Sequence, residues 1–203
     1  MIVLGLTGSA AMGKSATAEM FAAERVPVFD ADAEVHRLYD GAAASLIEAA
    51  FPGTTVEGRV DRERLAAKVF DDPQALARLE AIVHPLVRAA QEAFLAEAAA
   101  KGASVVVLNV PLLFETSGDD RVDAVVVVTA PADVQNSRLF ERPNMTDAKF
   151  KAMLARQMPD SEKRRRADFL IDTSHGFDSA RAAVKEILRQ LAEQGIPKKR
   201  NRN

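Results

Sequence analysis

Apolar residues along the chain fall into two kinds of run, and their alternation sets the fold class. Short, nearly continuous apolar stretches occur at residues 2–7, 26–29, 104–110, 122–129 and 169–171. Runs of this length, rich in branched residues, are the mark of strands buried on both faces, as in a parallel sheet. Elsewhere apolar positions recur every three or four residues. Ala16, Met20 and Phe21 share one side of a helix running to about Arg25, and Leu65, Ala66, Val69 and Phe70 form a second stripe. Leu76, Leu79, Ile82, Val83, Leu86 and Val87 make a third, and Val184, Ile187, Leu188 and Leu191 a last one. Strands alternating with helices predict an α/β fold: a five-stranded parallel sheet with helices on both faces.

The alternation is interrupted once. From about Ala31 to Lys101 the chain reads as almost continuous helix, too long for a single crossover. We therefore expect a helical insertion between the second and third strands of the sheet. Val83-His84-Pro85 is expected to break its helical run, because proline disfavours helix in the residue before it. The resulting organisation is a core made of residues 1–30, 102–132 and 165–195, a helical substrate domain at 31–101, a small helical lid at 133–164 and a flexible basic tail at 196–203. In the lid, Thr146 is placed to cap a helix with Phe150, Met153, Leu154 and Met158 on its inner face. Gly118-Asp119-Asp120 reads as a loop, and the basic run Lys163 to Arg166 mostly as a solvated helix face.

The connection after the first strand carries the strongest chemical signal. Gly8-Ser9-Ala10-Ala11-Met12-Gly13-Lys14-Ser15 fits G-x-x-x-x-G-K-[ST], a phosphate loop between a strand and a helix. Gly8 and Gly13 lack a Cβ, so the backbone can turn its N–H groups toward phosphate oxygens. Lys14 supplies a point charge for the β/γ-phosphates, and the Ser15 hydroxyl can ligate Mg²⁺. The amides of Ala11 and Met12, and the helix start as far as Ala16, complete the expected nucleotide-binding set. Arg138 and Arg142, four apart after the fourth strand, can clamp a phosphoryl group or stack on adenine.

Asp30-Ala31-Asp32 stands at the carboxyl end of the second strand, where open α/β sheets place their ligand crevice. Asp32 has two readings. It can cap the following helix, or serve with Asp30 as general base and Mg²⁺-water partner. His36, one turn on, can simply pair with that acid. His84 and Arg88 also share a helical face, and a structural role and a ligand role fit them equally. Asn109 ends the third strand where many phosphate-loop enzymes carry a metal-orienting aspartate; it can orient a water but adds no charge. Glu115 falls near the same edge.

Composition narrows the class. A chain of 203 residues with 48% hydrophobic content suits a packed globule. A net charge of −2 gives no sign of a nucleic-acid or membrane-surface partner. The absence of cysteine excludes disulfides and Cys-based metal sites, and fits a reducing cytoplasm. No apolar run approaches the ~18 residues of a membrane span, and no basic segment precedes the first strand as in a signal peptide.

Together these segments resemble the dephospho-CoA kinase family, over about residues 3 to 190. The resemblance rests on Gly5-Leu6-Thr7-Gly8 leading into the loop, Val28-Phe29-Asp30-Ala31-Asp32, Val83-His84-Pro85 and Val110-Pro111-Leu112-Leu113-Phe114-Glu115, in that order. Arg138, Arg142, Gln157 and Ala167-Asp168 continue it; each motif is weak alone, and together they are specific. It implies ATP- and Mg²⁺-dependent phosphorylation of the ribose 3′-hydroxyl of dephospho-CoA, the last step to coenzyme A. It further implies small-molecule partners only, a cytoplasmic location, and a monomer or weak homo-oligomer. Carried over by position, Asp32 is the general base, and Lys14, Ser15 and Mg²⁺ neutralise the γ-phosphoryl. Arg138 and Arg142 belong to the lid. The acceptor is met by Asp30, Asp32, His84 and Arg88, and by Leu112 and Glu115.

The chain departs from the family pattern in three places: Ser9-Ala10-Ala11-Met12 within the loop, His36 beside Arg37 where an arginine is usual, and Asp172 to Gly176 in place of an Asn-x-Gly. Two other readings share the phosphate loop. A nucleoside monophosphate kinase lacks the His84-Pro85 and Pro111-to-Glu115 motifs, and a non-catalytic ATP-binding module would dock through the basic tail. No Asn-Lys-x-Asp string is present to read guanine.

Overall fold

A computed structural model describes residues 1–141, 145–146, 155 and 157–196. The chain opens with β1 (Ile2–Gly8), α1 (Lys14–Ala23) and β2 (Val28–Asp30). It continues through α2 (Ala31–Tyr39), α3 (Ala44–Ala50), β3 (Thr55–Val56), β4 (Arg59–Val60), α4 (Arg62–Val69) and α5 (Pro73–Ala100). The remainder is β5 (Val105–Asn109), a 3₁₀ turn at Gly118–Arg121, β6 (Ala124–Thr129), α6 (Ala132–Phe140), α7 (Asp160–Arg166), β7 (Phe169–Asp172) and α8 (Phe177–Gln194). Contacts divide this into a sheet unit, residues 1–29 with the chain from Ala98 onward, and a helical unit, Asp30–Glu97.

The sheet has the strand order β2-β5-β1-β6-β7. β1 lies between β5 and β6, parallel to both, with Leu6 opposite Asn109 and Gly8 opposite Val128. β7 extends the sheet in parallel beyond β6. After β1 the chain crosses to one side and after β5 to the other, so the loop following β1 sits at the switch point where open sheets form their crevice. The valines of β6 are fully buried, as their continuous run foretells. Phe21 of α1 and Val184, Ile187 and Leu191 of α8 join Leu4, Leu6 and Val126 in the main core. Burying a side chain such as Phe21 stabilises by about 1.5–3 kcal/mol.

The helical unit has its own core of Leu38, Ile47, Phe51, Leu65, Leu79 and Val83. It differs from the expected near-continuous helix in containing a small antiparallel hairpin, β3-β4. Two-residue strands are too short to show a period of two. Their turn is closed by Glu57 (φ 50°) and Gly58 (φ 76°), a pair without the asparagine that usually announces positive φ.

The helix also does not stop at Pro85, because α5 runs through it without interruption. Proline removes one hydrogen bond, but Val83, Leu86 and Val87 around it are all packed into the unit's core, and that burial outweighs the loss. Of the second apolar stripe only Leu65 and Val69 turn inward; Phe70 is 65% exposed at the helix end. Gly118–Asp120 is a 3₁₀ turn with Asp119 buried, not an open loop. The expected helix after Thr146 and the tail beyond Ile196 lie outside the described residues. Among those described, no helix is long and apolar enough to cross a membrane.

Candidate active site

The phosphate loop is fixed at both ends by close approaches that only glycine allows. A Cβ on Gly8 would stand 2.6 Å from the Val128 carbonyl oxygen of the adjacent strand. Gly13 has φ 90°, and a Cβ there would press on Thr173 at 3.1 Å. Between them the Met12 N–H donates to the Ser9 carbonyl at 3.2 Å, and Ala11 adopts φ 61° although it carries a Cβ. The Met12 side chain, 2% exposed, is sunk into the main core and anchors the loop from below.

Lys14 opens α1, whose N-cap, Gly13, has no side chain with which to cap it. The Lys14 Nζ donates to Asn109 Oδ1 at 2.6 Å across the fully buried end of β5. Asn109 therefore orients the lysine through a neutral amide, a partner that brings no counter-charge of its own. Ser15 and Ala16 follow in the first turn, Ser15 exposed. The Thr7 Oγ1 donates to the Pro111 carbonyl at 3.0 Å, tying the end of β1 to the turn that holds Leu112 and Glu115.

Arg138 lies on α6 and is engaged bidentately. Its Nη1 and Nη2 donate to the hydroxyl and the carbonyl oxygen of Thr173, both at 2.7 Å. The Thr173 Oγ1 in turn donates to the Met12 carbonyl at 2.9 Å. Arg138, Thr173 and the loop thus form one connected chain, in which Thr173 of the segment Asp172 to Gly176 holds the loop in place. The Asp172 carboxyl is held below its ordinary range by hydrogen bonds from the Ser174 hydroxyl and amide. A cavity of about 320 Å³ opens here, lined mainly by apolar atoms of Gly13, Ala16, Met20 and Phe177 with Arg138 and Thr173.

Glu115 is bound into a buried charge network. Its Oε1 accepts the Met158 N–H at 2.7 Å and lies 2.9 Å from the Nζ of Lys163, which is completely buried. Asp160 accepts the Thr129 hydroxyl at 2.8 Å, and Arg166 pairs with the buried Asp119 at 2.7 Å while covering the Phe114 ring. The basic run is therefore not a solvated face at Lys163 and Arg166. Sequence reading misses this, but a signal is there. Asp-Ser-Glu-Lys-Arg-Arg-Arg contains no apolar residue, so whichever face of α7 turns inward must bury polar groups, here at 160, 163 and 166.

The helical unit holds the other candidates. Asp30, not Asp32, is the N-cap of α2: its Oδ1 accepts the Ala33 N–H at 2.9 Å. Extended backbone at Asp30 gives it the cap geometry, which leaves Asp32 exposed within the first turn. His36 does not pair with Asp32. Its Nε2 meets Arg62 Nη1 at 3.1 Å, and because arginine only donates, that nitrogen is the acceptor. Arg37 is taken by Glu34, whose hydrogen bonds raise the guanidinium's pKa. His84 and Arg88 lie one turn apart on α5, and both are exposed. Arg142 lies outside the described residues. Among those described, no group of three or more acids and histidines is placed to hold a metal ion.

Comparison with known proteins bears on the whole chain. The family model for dephospho-CoA kinase matches residues 2–179. Dephospho-CoA kinase of Rhodopseudomonas palustris strain HaA2 is 58% identical over 200 residues, 98% of this chain and 100% of that protein. The crystal structure of TT1252 from Thermus thermophilus aligns with a TM-score of 0.81 at 34% identity, covering 94% of this chain and 97% of that one. Dephospho-CoA kinase from Campylobacter jejuni aligns with a TM-score of 0.64 at 24% identity, covering 93% and 96%, and supports the fold alone.

Proposed function

The chain belongs to the dephospho-CoA kinase family, and we propose that it performs the ATP-dependent phosphorylation of dephospho-CoA with the phosphate loop as donor cradle and Asp32 as general base. The observation that carries the donor half is the cavity beside Gly13, walled by Arg138 and Phe177. It is apolar, of a size for a purine, and opens beside the loop. With the base there, the triphosphate runs along the amides of Ala11, Met12 and Gly13 to Lys14 at the start of α1. Arg138, already pinned flat by Thr173, offers its guanidinium plane to the ring. Ser15 and the donor phosphates would hold Mg²⁺, which supplies charge neutralisation at the γ-phosphoryl when bound.

The 3′-hydroxyl oxygen attacks the γ-phosphorus in line, the bond to the β–γ bridging oxygen breaks, and ADP leaves. Asp32 accepts the hydroxyl proton. Exposure in the first turn of α2 leaves its carboxylate available for that work, since capping falls to Asp30. Lys14 moves from the Asn109 amide to the developing charge on the phosphates. His84 and Arg88 belong to the acceptor-binding surface of the helical unit, and residues 133–164 form the lid. The enzyme works in the cytoplasm.

The test is turnover of ATP with dephospho-CoA against a panel of nucleoside monophosphates, for wild type and Asp32→Asn. The wild type should phosphorylate dephospho-CoA alone. Asp32→Asn should lower kcat by about 10²–10⁴ with little change in KM for dephospho-CoA. Near-normal turnover in that variant removes Asp32 from the base role.

A further inference from the structure

We propose that Gln135 is a positioning residue for the donor nucleotide: its carboxamide, with that of Gln157, holds the crest of the phosphate loop in its anion-binding shape before ATP arrives. The proposal rests on the donor reading above and concerns side chains that touch the loop's back, not the phosphates. Ala10 is the crest, and side chains take both of its backbone polar groups. Its carbonyl accepts from Gln135 Nε2 at 2.8 Å, and its N–H donates to Gln157 Oε1 at 3.3 Å. A backbone N–H can only donate and a carbonyl only accept, so each carboxamide can sit only one way round. Gln135 is 7% exposed in the middle of α6, 125 residues from its partner along the chain. A polar group buried that deeply is spent on one purpose, and here the purpose is the loop.

The loop needs holding because of its next residue. Ala11 has φ 61°, where a Cβ crowds the following carbonyl oxygen. Such a conformation persists only when its surroundings over-determine it. The flanks do so on both sides. Gln135 fixes Ala10, and Arg138, through the Thr173 hydroxyl, fixes the Met12 carbonyl. Both braces come from α6, so one helix presets the shape into which the phosphates bind. Without Gln135, Ala11 is free to relax, and ATP must then re-form the loop at the expense of affinity.

The experiment compares ATP affinity by isothermal titration and steady-state kinetics for Gln135→Met, which keeps volume and removes the donor. The Kd and KM for ATP should rise about tenfold, with KM for dephospho-CoA unchanged and kcat at saturating ATP within about twofold. Adding Ala11→Gly to that variant should bring ATP affinity back to within about threefold of wild type, because glycine carries no strain to be held. A packing defect would not respond to a glycine in the loop. Unchanged ATP affinity in folded Gln135→Met, or no recovery on adding Ala11→Gly, overturns the proposal. Failure of the wild type itself to bind ATP would overturn the donor reading instead. Should Gln135→Met not fold by circular dichroism, Gln157→Ala, which frees the other polar group of Ala10, decides: weaker ATP binding supports the brace and unchanged binding overturns it.

Discussion

In the helical unit, the polar side chains that hold the backbone act on their own neighbourhood. Asp61 accepts the amides of Glu63 and Arg64, Asp72 those of Gln74 and Ala75, and Glu48 those of Gly53, Thr54 and Thr55. In the sheet unit the corresponding bonds join residues far apart in the chain: Lys14 to Asn109, Thr173 to Met12, Gln135 to Ala10, Lys163 to Glu115. A local bond survives whenever its helix or turn forms. A distant one exists only when the whole unit is assembled, so the side chains around the phosphate loop depend on the fold being complete. Damage should follow the same division, large and cooperative in the sheet unit, small and additive in the helical one.

The sharpest break is at the buried pair. Lys163→Met leaves Glu115 mostly buried without its counter-charge and should cost about 3 kcal/mol in urea unfolding. Removing both charges, as Lys163→Met with Glu115→Leu, should recover most of that, because an apolar pair of similar size avoids the desolvation. A single variant within the noise of wild type would mean that the network is incidental and that the division between the units is not one of energy.

Glu48 tests the local side. Hydrogen bonds from the Gly53 amide, the Thr55 hydroxyl and the neighbouring amides hold its carboxyl below the usual 4.5. A group ionised more easily in the folded state contributes stability that is present above its unfolded value, and that stability drains as pH falls through the folded one. As pH falls below the usual glutamate value of 4.5 the helical unit should therefore lose part of its stability, and Glu48→Gln should flatten that limb. Unfolding followed by amide signals of residues 53–55 would read it directly. An unchanged acid limb in the variant would show that the turn is held by something else.

Much of the sheet unit is legible in the chain because its chemistry is written in consecutive residues. Gly8 to Ser15 carries its own spacing, and a continuous β-branched run such as Val125 to Val128 is the mark of an interior strand. What is not legible is the side chain's choice between neighbours. Nothing near Asp30 and Asp32 says which of two carboxylates turns back to cap α2, since both suit the N-cap and only the backbone angle at Asp30 decides. Pro85 misleads for a related reason. The rule that proline ends helices is local, and the apolar residues that α5 packs into a core overrule it. The roles of Lys163 and Gln135 depend on partners 48 and 125 residues away in the chain, beyond the reach of any local pattern.

Asp61 gives a smaller effect of a kind the division requires. It caps α4 through two amides, and Asp61→Ala should cost about 1 kcal/mol without altering the affinity for ATP. A loss of several kcal/mol would mean that the cap supports more than its own helix, and the helical unit would then be as cooperative as the sheet.

The smallest effect is the most specific, because each unit contains a turn residue that bears the same backbone strain. Ala11 in the phosphate loop has φ 61° and Glu57 in the β3-β4 turn has φ 50°. The first is flanked by hydrogen bonds from distant side chains, next to the proposed donor site. The second closes a two-residue hairpin in which asparagine fits the left-handed region more comfortably than glutamate. Glu57→Asn should therefore raise stability by about 0.5 kcal/mol and leave the Kd for ATP where it was. Thermal unfolding with and without ATP separates the two readouts. If Glu57→Asn also changes ATP affinity, strain in the helical unit is coupled to the donor site, and the contrast between a strained turn that serves binding and one that serves only a hairpin fails.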